Sequence, residues 1–317
     1  MENMNTSKKS IAVVIPVFNS AGQLADITNE IIETFQRFNH IERMNYYLSK
    51  IVLVDDGSTD GSSEVIYTLQ KNPLIKGVFL NRNYGQHAAI FAGVLTTHED
   101  FIVTMDEDGE HDPGLIEHML ERIDQSNSDV VYVNFNYNLL NLKEFLSSAS
   151  KRVISILSGD PNIQFISSYR LVRGSVFRSA AVYANNGSFL DISLGWITQK
   201  VNVVKSTKRQ STRKSTYSSK KLLTHFGNLL FASGIKPLRY LFNLGLLISI
   251  GSLVATIIIL FRKYFNLIPI QGWVSNIVVL IFFGGILMSS IGLVARYVSV
   301  IVETSSGKPF FTIKNHK

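Results

Sequence analysis

A dense group of acidic residues occupies positions 105–113, where the chain reads Met-Asp-Glu-Asp-Gly-Glu-His-Asp-Pro. Carboxylates packed on one loop repel one another unless a cation lies between them. Their oxygen atoms suit Mg²⁺ or Mn²⁺, which keep several water ligands and share their remaining positions with substrate phosphates. A metal bound there would stabilise negative charge on a departing phosphate group. The alternative, a solvated acidic turn, is disfavoured because an apolar run directly precedes the loop.

Two further polar segments follow apolar runs in the first quarter of the chain. The first is Pro-Val-Phe-Asn at residues 16–19, and the second is Asp-Asp-Gly-Ser-Thr-Asp-Gly at residues 55–61. A carboxylate at the tip of a strand, beside a turn that exposes backbone N–H groups, can accept hydrogen bonds from a base or a ribose. An Asp-Gly turn that only closes a strand is an equally good interpretation of the second segment.

Short apolar runs rich in β-branched residues must position these loops. They alternate with stretches at helical spacing, a pattern typical of parallel strands that are buried on both faces and joined by helices. We therefore predict an α/β fold with a mostly parallel sheet, whose ligands bind beyond the carboxyl ends of the strands. The predicted strands cover residues 11–17, 51–54, 77–80, 101–105 and 130–133, and the predicted helices cover residues 24–38, 62–70, 86–95 and 113–124.

The second half of the chain contains two uncharged apolar stretches, residues 241–261 and 272–295, of 21 and 24 residues. Each is long enough to cross a bilayer, since about 20 helical residues span its hydrocarbon core. We predict a two-helix transmembrane hairpin over residues 240–262 and 272–297, with buried core helices as the alternative. Apolar residues at helical spacing with basic ends further predict an amphipathic helix in the membrane interface at residues 218–239.

Charge is distributed unevenly along the 317-residue chain, whose formal net charge is +7. Eight Lys or Arg residues fall between positions 200 and 221, whereas no Asp or Glu lies between Asp191 and Glu303. A basic run just before apolar segments favours an anionic membrane surface or a lipid phosphate as partner, and it disfavours nucleic acid. A solvated basic loop is the alternative. The chain has no cysteine, which excludes disulfides and thiolate metal sites.

The first ten residues are polar and lack the apolar segment of a signal peptide, so we expect the first half to stay in the cytoplasm. Two crossings would return the tail, residues 298–317, to the same side. Lys and Arg are more frequent beside the predicted hairpin than in its loop, in agreement with the positive-inside rule. The expected location is therefore the cytoplasmic (inner) membrane.

Six blocks of the sequence resemble the inverting glycosyltransferases of family 2, and among them the polyprenyl-phosphate glycosyltransferases such as dolichol-phosphate mannose synthase. The blocks follow the family order over nearly the whole chain. They are IPVFN at 15–19, VDDGSTDGS at 54–62, RNYGQHAAIFAG at 82–93, MDEDGEHDP at 105–113, SSYRLVRGSV at 167–176 and KSTY at 214–217.

This resemblance implies a GT-A type, Rossmann-like catalytic domain over residues 1–217 and an inverting transfer reaction. The implied donor is a nucleotide diphosphate sugar, and the implied acceptor is undecaprenyl or dolichyl phosphate at the cytoplasmic membrane face. The product would serve cell-surface glycan synthesis or modification. A flippase that moves the lipid-linked sugar across the membrane is an implied partner, whereas the sugar, the nucleotide and homo-oligomerisation are left open.

The resemblance also assigns roles to individual residues. Asp106 and Asp108 are implied to form the metal and diphosphate motif for Mg²⁺ or Mn²⁺, with Glu110 as a further metal contact. The implied nucleotide-sugar-binding residues are Pro16, Phe18, Asn19, Asp55, Asp56, Arg82 and Gly85. The implied lipid-phosphate-binding residues are Arg170, Arg209, Arg213, Lys214, Ser215 and Tyr217.

Asp191 is the one remaining acid near the acceptor half and is a candidate to orient the acceptor. A lipid phosphate is largely a dianion at neutral pH and needs no strong general base. Transfer to a sugar or glycolipid hydroxyl would need a base and would make Asp191 indispensable. A non-catalytic membrane protein that binds nucleotide sugars is a hypothesis of another class. A processive polysaccharide synthase is disfavoured because the sequence has no Gln-x-x-Arg-Trp motif.

Overall fold

The computed structural model describes residues 8–39, 45–135, 165–183, 190–207, 273–305 and 309–314, together with six single positions. The chain divides into two compact units. The first unit comprises Met1–Phe226 and Pro309–Lys317, and the second comprises Gly227–Lys308.

The described part of the first unit is built around one mixed β-sheet. Its strands are β1 (Lys9–Val17), β2 (Tyr46–Asp55), β3 (Ile75–Phe79), β4 (Phe101–Thr104), β5 (Val130–Phe135), β6 (Arg170–Arg173) and β7 (Val201–Ser206). Their order across the sheet is β3-β2-β1-β4-β6-β5-β7. β6 runs antiparallel to both of its neighbours, and the other pairs are parallel.

Helices cover both faces of this sheet. They are α1 (Leu24–Asn39), α2 (Ser62–Leu69), α3 (Gln86–Leu95), α4 (Leu115–Ser126), α5 (Gly174–Val182) and α6 (Leu190–Ile197). Successive residues of a strand point to opposite faces, so each strand contributes to two apolar cores. Ile11, Val13 and Ile15 of β1 pack with α1, α2 and α4 on one face. Val14 of β1 and Val52 of β2 pack with α3, α5 and α6 on the other.

The spacing of apolar residues explains how a helix such as α1 is fixed to the sheet. Its buried side chains recur every three or four residues and therefore form one stripe along the helix. Burying a stripe of this kind stabilises the fold by about 25 cal/mol for each Å² of apolar surface removed from water. The buried residues of α1 that form the stripe are Leu24, Ile27, Ile31, Phe35 and Phe38.

The chain first adds strands on one side of β1 and then continues on its other side. β2 and β3 lie on one side of this strand and β4 lies on the other, while β1, β2 and β4 are parallel. The loops that leave the carboxyl ends of β1 and β4 lead to α1 and α4 on one face of the sheet, whereas α3 connects β3 to β4 across the other face. The crevice at the carboxyl ends of the strands, where the strand order reverses beside β1, is where open α/β sheets bind their ligands.

The α/β fold with a mostly parallel sheet, predicted from the sequence, is confirmed. All five predicted strands and all four predicted helices are present, with bounds that differ by a few residues. The sequence patterns did not predict β6, β7, α5 or α6. β6 has only four residues, Arg-Leu-Val-Arg, and a run this short carries no periodicity that separates a strand from a turn.

The second unit contains α7 (Trp273–Ser305), a helix of 33 residues. In the part of the chain that the structure describes, we find no helix that combines the length and the apolar character needed to cross a membrane. The stretch 241–261 lies outside the described residues apart from three single positions, and residues 218–239 lie wholly outside them. The hairpin and the interfacial helix therefore stay predictions.

Close packing of α3 on the sheet yields a test of the fold. A Cβ atom added at Gly93 would lie 2.5 Å from Val14 Cγ1 and 2.9 Å from Val54 Cγ2. We expect Gly93→Ala to lower the free energy of unfolding by about 1–3 kcal/mol, because overpacking outweighs the higher helix propensity of Ala. Thermal unfolding followed by tryptophan fluorescence measures the change. Gly22→Ala is the matched control, since nothing lies within 4 Å of that added atom; equal stability of both variants would contradict this account of the packing.

Candidate active site

The polar loops predicted from the sequence meet at the carboxyl ends of β1, β2 and β4. Val17 at the end of β1 pairs with Asp55 at the end of β2, and Val14 pairs with Thr104 at the end of β4. Pro16 lies within β1 and pairs with Val54. The loops after these three strands therefore leave the sheet at one edge, beside the crevice where the strand order reverses.

Asn19 joins the loop after β1 to the loop after β2. Its side-chain Oδ1 accepts the backbone N–H of Thr59 at 2.8 Å, and its own N–H donates to Ser58 Oγ at 3.1 Å. Its φ of +54° lies in the left-handed region, which Asn tolerates better than most residues. Phe18, just before it, is 44% exposed despite its size. The loop thus holds an aromatic ring at the mouth of the crevice.

Asp55 and Asp56 are buried and hold the loops around them. Asp55 Oδ1 accepts the N–H of Ser58 at 2.8 Å, and the hydroxyl of Ser63 donates to its other oxygen. Asp56 accepts two backbone N–H groups, those of Tyr84 at 2.7 Å and Gly85 at 2.8 Å. Burial raises the pKa of Asp56, and these two hydrogen bonds oppose that effect. Both carboxylates shape the nucleotide side of the predicted site, and direct contact with a base or ribose stays a prediction.

The loop after β3 lies directly against the turn after β2. A Cβ atom at Gly57 would lie 2.7 Å from Arg82 C and 2.7 Å from Asn83 N, and the φ of Gly57 is +71°. A glycine is therefore required here for both conformation and space. The guanidinium carbon of Arg82 lies 4.8 Å from the ring centre of Tyr84, a cation–π distance. Gly85 has a φ of +95° and precedes the first residue of α3.

Asp106 follows Met105, the residue directly after β4, and two side chains hold its carboxylate. Gln86 Nε2 at the start of α3 donates to its Oδ1 at 2.6 Å, and Ser168 Oγ before β6 donates to its Oδ2 at 2.7 Å. The backbone N–H of Asp106 donates to His111 Nδ1 at 3.0 Å. The buried His111 ring stacks on Tyr169 with ring centres 4.9 Å apart. These contacts fix the carboxylate at the centre of the crevice.

Asp108 follows in the same loop and accepts the N–H of Glu110 at 3.0 Å. Burial raises the pKa of Asp108, and the negative charges of Asp106 and Glu110 raise it further. Glu107 also has a raised pKa because of burial, and its Oε1 accepts the hydroxyl of Ser20 at 3.0 Å. The loop therefore concentrates carboxylates whose ionised forms a cation would stabilise.

The donor set fits a divalent metal that is completed by substrate. Within the described ranges, no group of three or more His, Cys, Asp or Glu side chains is arranged to hold a metal ion. The predicted trio of Asp106, Asp108 and Glu110 is thus not gathered into a complete protein site. Mg²⁺ commonly binds through one or two carboxylates, with water and phosphate oxygens in the remaining positions. Asp106 and Asp108 match that requirement.

Arg170 and Asp191 form a buried ion pair on the β5–β6 side of the sheet. Arg170 Nη1 lies 2.5 Å from Asp191 Oδ1, and the hydroxyl of Tyr132 donates to the same oxygen at 2.9 Å. Only 2% of the Arg170 side chain and 6% of the Asp191 side chain are exposed. The structure thus gives each residue a protein partner, and their predicted contacts with the lipid acceptor stay predictions.

Arg209 also forms ion pairs, in this case beside the acidic loop. Its guanidinium lies 2.6 Å from Glu30 Oε1 and 2.7 Å from Asp112 Oδ1. The backbone N–H of Arg209 donates to the backbone carbonyl of Glu110 at 3.3 Å. Arg209 is therefore attached to the acidic loop at Glu110 and Asp112. The other predicted lipid-phosphate residues, Arg213, Lys214, Ser215 and Tyr217, lie outside the described residues.

Comparison with known proteins assigns this architecture to a family. The family model described as "Glycosyl transferase family 2" matches residues 12–172, which include the carboxyl ends of β1, β2 and β4. This chain belongs to glycosyl transferase family 2. It is therefore a glycosyltransferase, and its mixed, mostly parallel sheet is a GT-A-like α/β fold.

Two relatives extend the similarity of this glycosyltransferase beyond residue 172. The undecaprenyl-phosphate 4-deoxy-4-formamido-L-arabinose transferase of Photorhabdus laumondii is 25% identical, over 96% of this chain and 94% of its own. The bactoprenol glucosyl transferase of Shigella phage SfV is 25% identical, over 97% of this chain and 99% of its own. The similarity to both thus includes nearly the whole chain.

Among solved structures, the glycosyltransferase resembles glucosyl-3-phosphoglycerate synthase from Mycobacterium tuberculosis. Its complex with phosphoglyceric acid aligns with a TM-score of 0.51 at 13% identity, over 72% of this chain and 80% of that chain. At that identity, the likeness concerns the fold.

Several residues that position the site of the glycosyltransferase were not singled out from the sequence. They lie inside blocks that were recognised as units, but no spacing rule assigns them a partner. Their contacts join residues that are distant along the chain. Ser168 and Asp106, for example, are 62 positions apart. The residues in question are Tyr84, Gln86, His111 and Ser168.

The contact of Gly57 with the loop after β3 predicts the effect of a substitution. We expect Gly57→Ala to weaken donor binding by about tenfold or more, because the added methyl group displaces the backbone that holds Asp56. The donor KM in a sugar-transfer assay measures the change. Gly61→Ala is the matched control: its φ of +89° imposes similar strain, but its added atom has only Glu64 Oε2 within 4 Å, at 3.8 Å. Equal effects of the two variants would assign the loss to strain alone.

Proposed function

We propose that this glycosyltransferase transfers a sugar from a nucleotide diphosphate sugar to a polyprenyl phosphate, undecaprenyl or dolichyl, with inversion at the anomeric carbon. The observation that carries the proposal is the full-length similarity to two relatives named for undecaprenyl phosphate and bactoprenol. The family model ends at residue 172, so these relatives also share the half of the chain that follows the nucleotide side. A soluble transferase of the same family would need to share only the first half.

The donor is expected to bind in the crevice at the carboxyl ends of β1, β2 and β4. Phe18 provides an exposed ring for contact with a base or ribose, and Asn19 fixes the loop that carries it. Arg82 lies on the opposite loop and supplies a positive charge next to Tyr84. Asp56 and Gly85 shape the wall between them through the hydrogen bond that joins them.

Asp106 and Asp108 are the residues that would hold a divalent metal, with Glu110 as a further contact from the same loop. Mg²⁺ or Mn²⁺ bound there would supply Lewis-acid stabilisation of the charge on the departing diphosphate. Gln86 and Ser168 keep the Asp106 carboxylate in place. Holding the carboxylate before the donor arrives avoids reorganisation during the reaction, which is how a preorganised site lowers the barrier.

The acceptor phosphate needs placement more than activation. One of its oxygens would form the new bond to the anomeric carbon while the bond from that carbon to the diphosphate oxygen breaks, which inverts the configuration. The phosphate is already largely a dianion at neutral pH, so no proton has to be removed. We assign placement of the phosphate to the basic segment that starts at Arg209, whose continuation includes Arg213 and Lys214.

We further propose that the enzyme acts at the cytoplasmic face of the inner membrane. The uncharged stretches 241–261 and 272–295 support a membrane hairpin, and the eight basic residues between positions 200 and 221 support contact with anionic lipid. The acceptor's long hydrocarbon chain would stay in the bilayer while its phosphate enters the crevice. The lipid-linked product would then need a flippase partner to expose its sugar on the other side.

The central test combines a donor panel with removal of one metal ligand. Detergent-solubilised enzyme receives radiolabelled nucleotide sugars, undecaprenyl phosphate and Mg²⁺ or Mn²⁺, and label in the lipid phase is counted. We expect transfer from one donor, and we expect Asp108→Asn or removal of the metal with EDTA to reduce it about 100-fold or more.

Asp124→Asn is the control for that test, because it removes the same charge on α4 outside the acidic loop. It should retain the activity of the intact chain. Absence of lipid label from every donor, although nucleotide still binds, would contradict the proposed acceptor. Undiminished transfer by Asp108→Asn would contradict the proposed metal site.

Substitution of Asp191 distinguishes a phosphate acceptor from a hydroxyl acceptor. We expect Asp191→Asn to lower the free energy of unfolding by about 3–5 kcal/mol, because it leaves the buried Arg170 charge without its counterion. Transfer per folded molecule should fall less than about tenfold, because the phosphate needs no base. Thermal unfolding and initial rates, measured on the same preparation, give the two quantities.

Asp129→Asn is the matched control, since the Asp129 pair with Arg173 is partly exposed and should be worth only about 1 kcal/mol. Loss of nearly all transfer by stably folded Asp191→Asn would instead identify Asp191 as a general base and favour a hydroxyl acceptor.

A further inference from the structure

The C-terminal segment of the first unit lies against the loop that shapes the nucleotide side of the crevice. The backbone N–H of Lys314 donates to the carbonyl of Phe79 at 2.7 Å, and Ile313 forms an antiparallel bridge with Leu80. One residue further along the loop, the N–H of Asn81 donates to the carbonyl of Thr312 at 3.1 Å. Residues 312–314 therefore pair in antiparallel fashion with residues 79–81, at and just beyond the end of β3.

Thr312 adds a side-chain connection to this backbone pairing. Its Oγ1 accepts a hydrogen bond from Asn81 Nδ2 at 2.7 Å and forms a second hydrogen bond, also 2.7 Å long, with the hydroxyl of Tyr84. The bond to Thr312 lowers the pKa of Tyr84, with a smaller contribution from Arg82. One hydroxyl group thus ties together both ends of the segment 81–84.

Two phenylalanines attach the same segment to the apolar core. Phe310 packs edge to face on Phe91 of α3, with ring centres 5.7 Å apart, and Phe311 packs on Phe310. Both belong to the partly buried rim of the core that α3 shares with the sheet. Residues 310–314 therefore contact both α3 and the end of β3, the two elements that the loop 80–85 connects.

The loop held by Thr312 carries the contacts that shape the donor crevice. Tyr84, whose hydroxyl bonds Thr312, donates its backbone N–H to Asp56, as does Gly85. The next residue, Gln86, holds Asp106 of the acidic loop. A displacement of Tyr84 would consequently move the groups that fix both the nucleotide side and the metal side of the crevice.

We propose that residues 309–314 are part of the donor site and that Thr312 is a positioning residue for nucleotide binding. The proposal rests on the proposed function, because it takes the ligand of the crevice to be a nucleoside diphosphate sugar. Thr312 acts through Tyr84 rather than by touching the ligand. Its hydroxyl selects the position of the loop at which Asp56 receives both N–H groups.

The test is nucleotide binding by the full-length chain and its Thr312→Val variant, which keeps the shape of the side chain and removes the hydroxyl. UDP, GDP, CDP and TDP are each titrated with Mg²⁺ by calorimetry, and donor KM and kcat are measured for the sugar that the enzyme uses. We expect Thr312→Val to raise the Kd of the bound nucleotide and the donor KM about five- to tenfold, from the loss of two hydrogen bonds. We expect a smaller decrease in kcat than in affinity, because the shifted loop also carries Gln86, which holds Asp106.

Three further variants separate positioning from a general loss of stability. Thr312→Ser retains the hydroxyl and should restore the affinity of the intact chain. Thr68→Val removes an exposed hydroxyl that bonds only to its own helix in the structure, at the Glu64 carbonyl, and should leave affinity unchanged. Tyr84→Phe should weaken binding on its own and should add little in combination with Thr312→Val, because both changes break the same bond.

The outcomes distinguish this inference from the function on which it rests. If the intact chain binds none of the four nucleotides, the proposed function fails, and the inference fails with it. If the intact chain binds one nucleotide and Thr312→Val binds it equally well, the inference alone is overturned. It is also overturned if Thr312→Val lowers the unfolding temperature but leaves Kd and KM unchanged, since Thr312 would then support only the fold.

Discussion

The two backbone N–H groups that Tyr84 and Gly85 donate to Asp56 connect the parts of this glycosyltransferase that meet at its crevice. A buried carboxylate is costly unless it is hydrogen-bonded, so the loop after β3 must take the conformation that presents both groups. That conformation requires the positive φ of Gly85, and it brings the loop so close to the turn after β2 that only glycine fits at position 57. The position of α3 follows, and with it the position of Gln86 and of the Asp106 carboxylate that Gln86 holds.

The electrostatics of the crevice complement this geometry. Burial and neighbouring charges raise the pKa of Asp108, and burial raises the pKa of Glu107. The ionised loop is therefore less favourable in the isolated protein than it would be beside a cation. A basic side chain lies close by: the guanidinium of Arg209 is bound to Glu30 and Asp112, and its backbone N–H contacts Glu110. A crevice that carries these carboxylates beside Arg209 suits the proposed metal-bound diphosphate leaving group.

The sequence predicted those features that depend on local pattern. β1 and β2 contain continuous apolar runs, and the polar residues after β1, β2 and β4 could be placed at one edge of the sheet because parallel strands share an orientation. Features that depend on distant contacts could not be predicted. β6 has four residues, Arg-Leu-Val-Arg, and neither this short run nor the sequence of residues 136–164 before it carries a pattern that indicates antiparallel pairing with β4 and β5. Thr312 is separated from Asn81 by 231 positions, and no periodicity indicates that the end of the chain pairs with the loop after β3.

The buried pair of Arg170 and Asp191 bears on the choice of acceptor. A general base must expose an oxygen to the proton that it removes, whereas Asp191 is buried and its Oδ1 is already bound by Arg170 and by the Tyr132 hydroxyl. These contacts instead tie α6, which carries Asp191, to Arg170 of β6 and Tyr132 of β5. A sugar hydroxyl would depend on such a proton transfer, and a phosphate dianion does not. The proposed phosphate acceptor thus agrees with the contacts of Asp191: an acceptor that arrives already ionised allows the protein to use this acid to fix β6, the strand beside β4 whose loop carries Asp106 and Asp108.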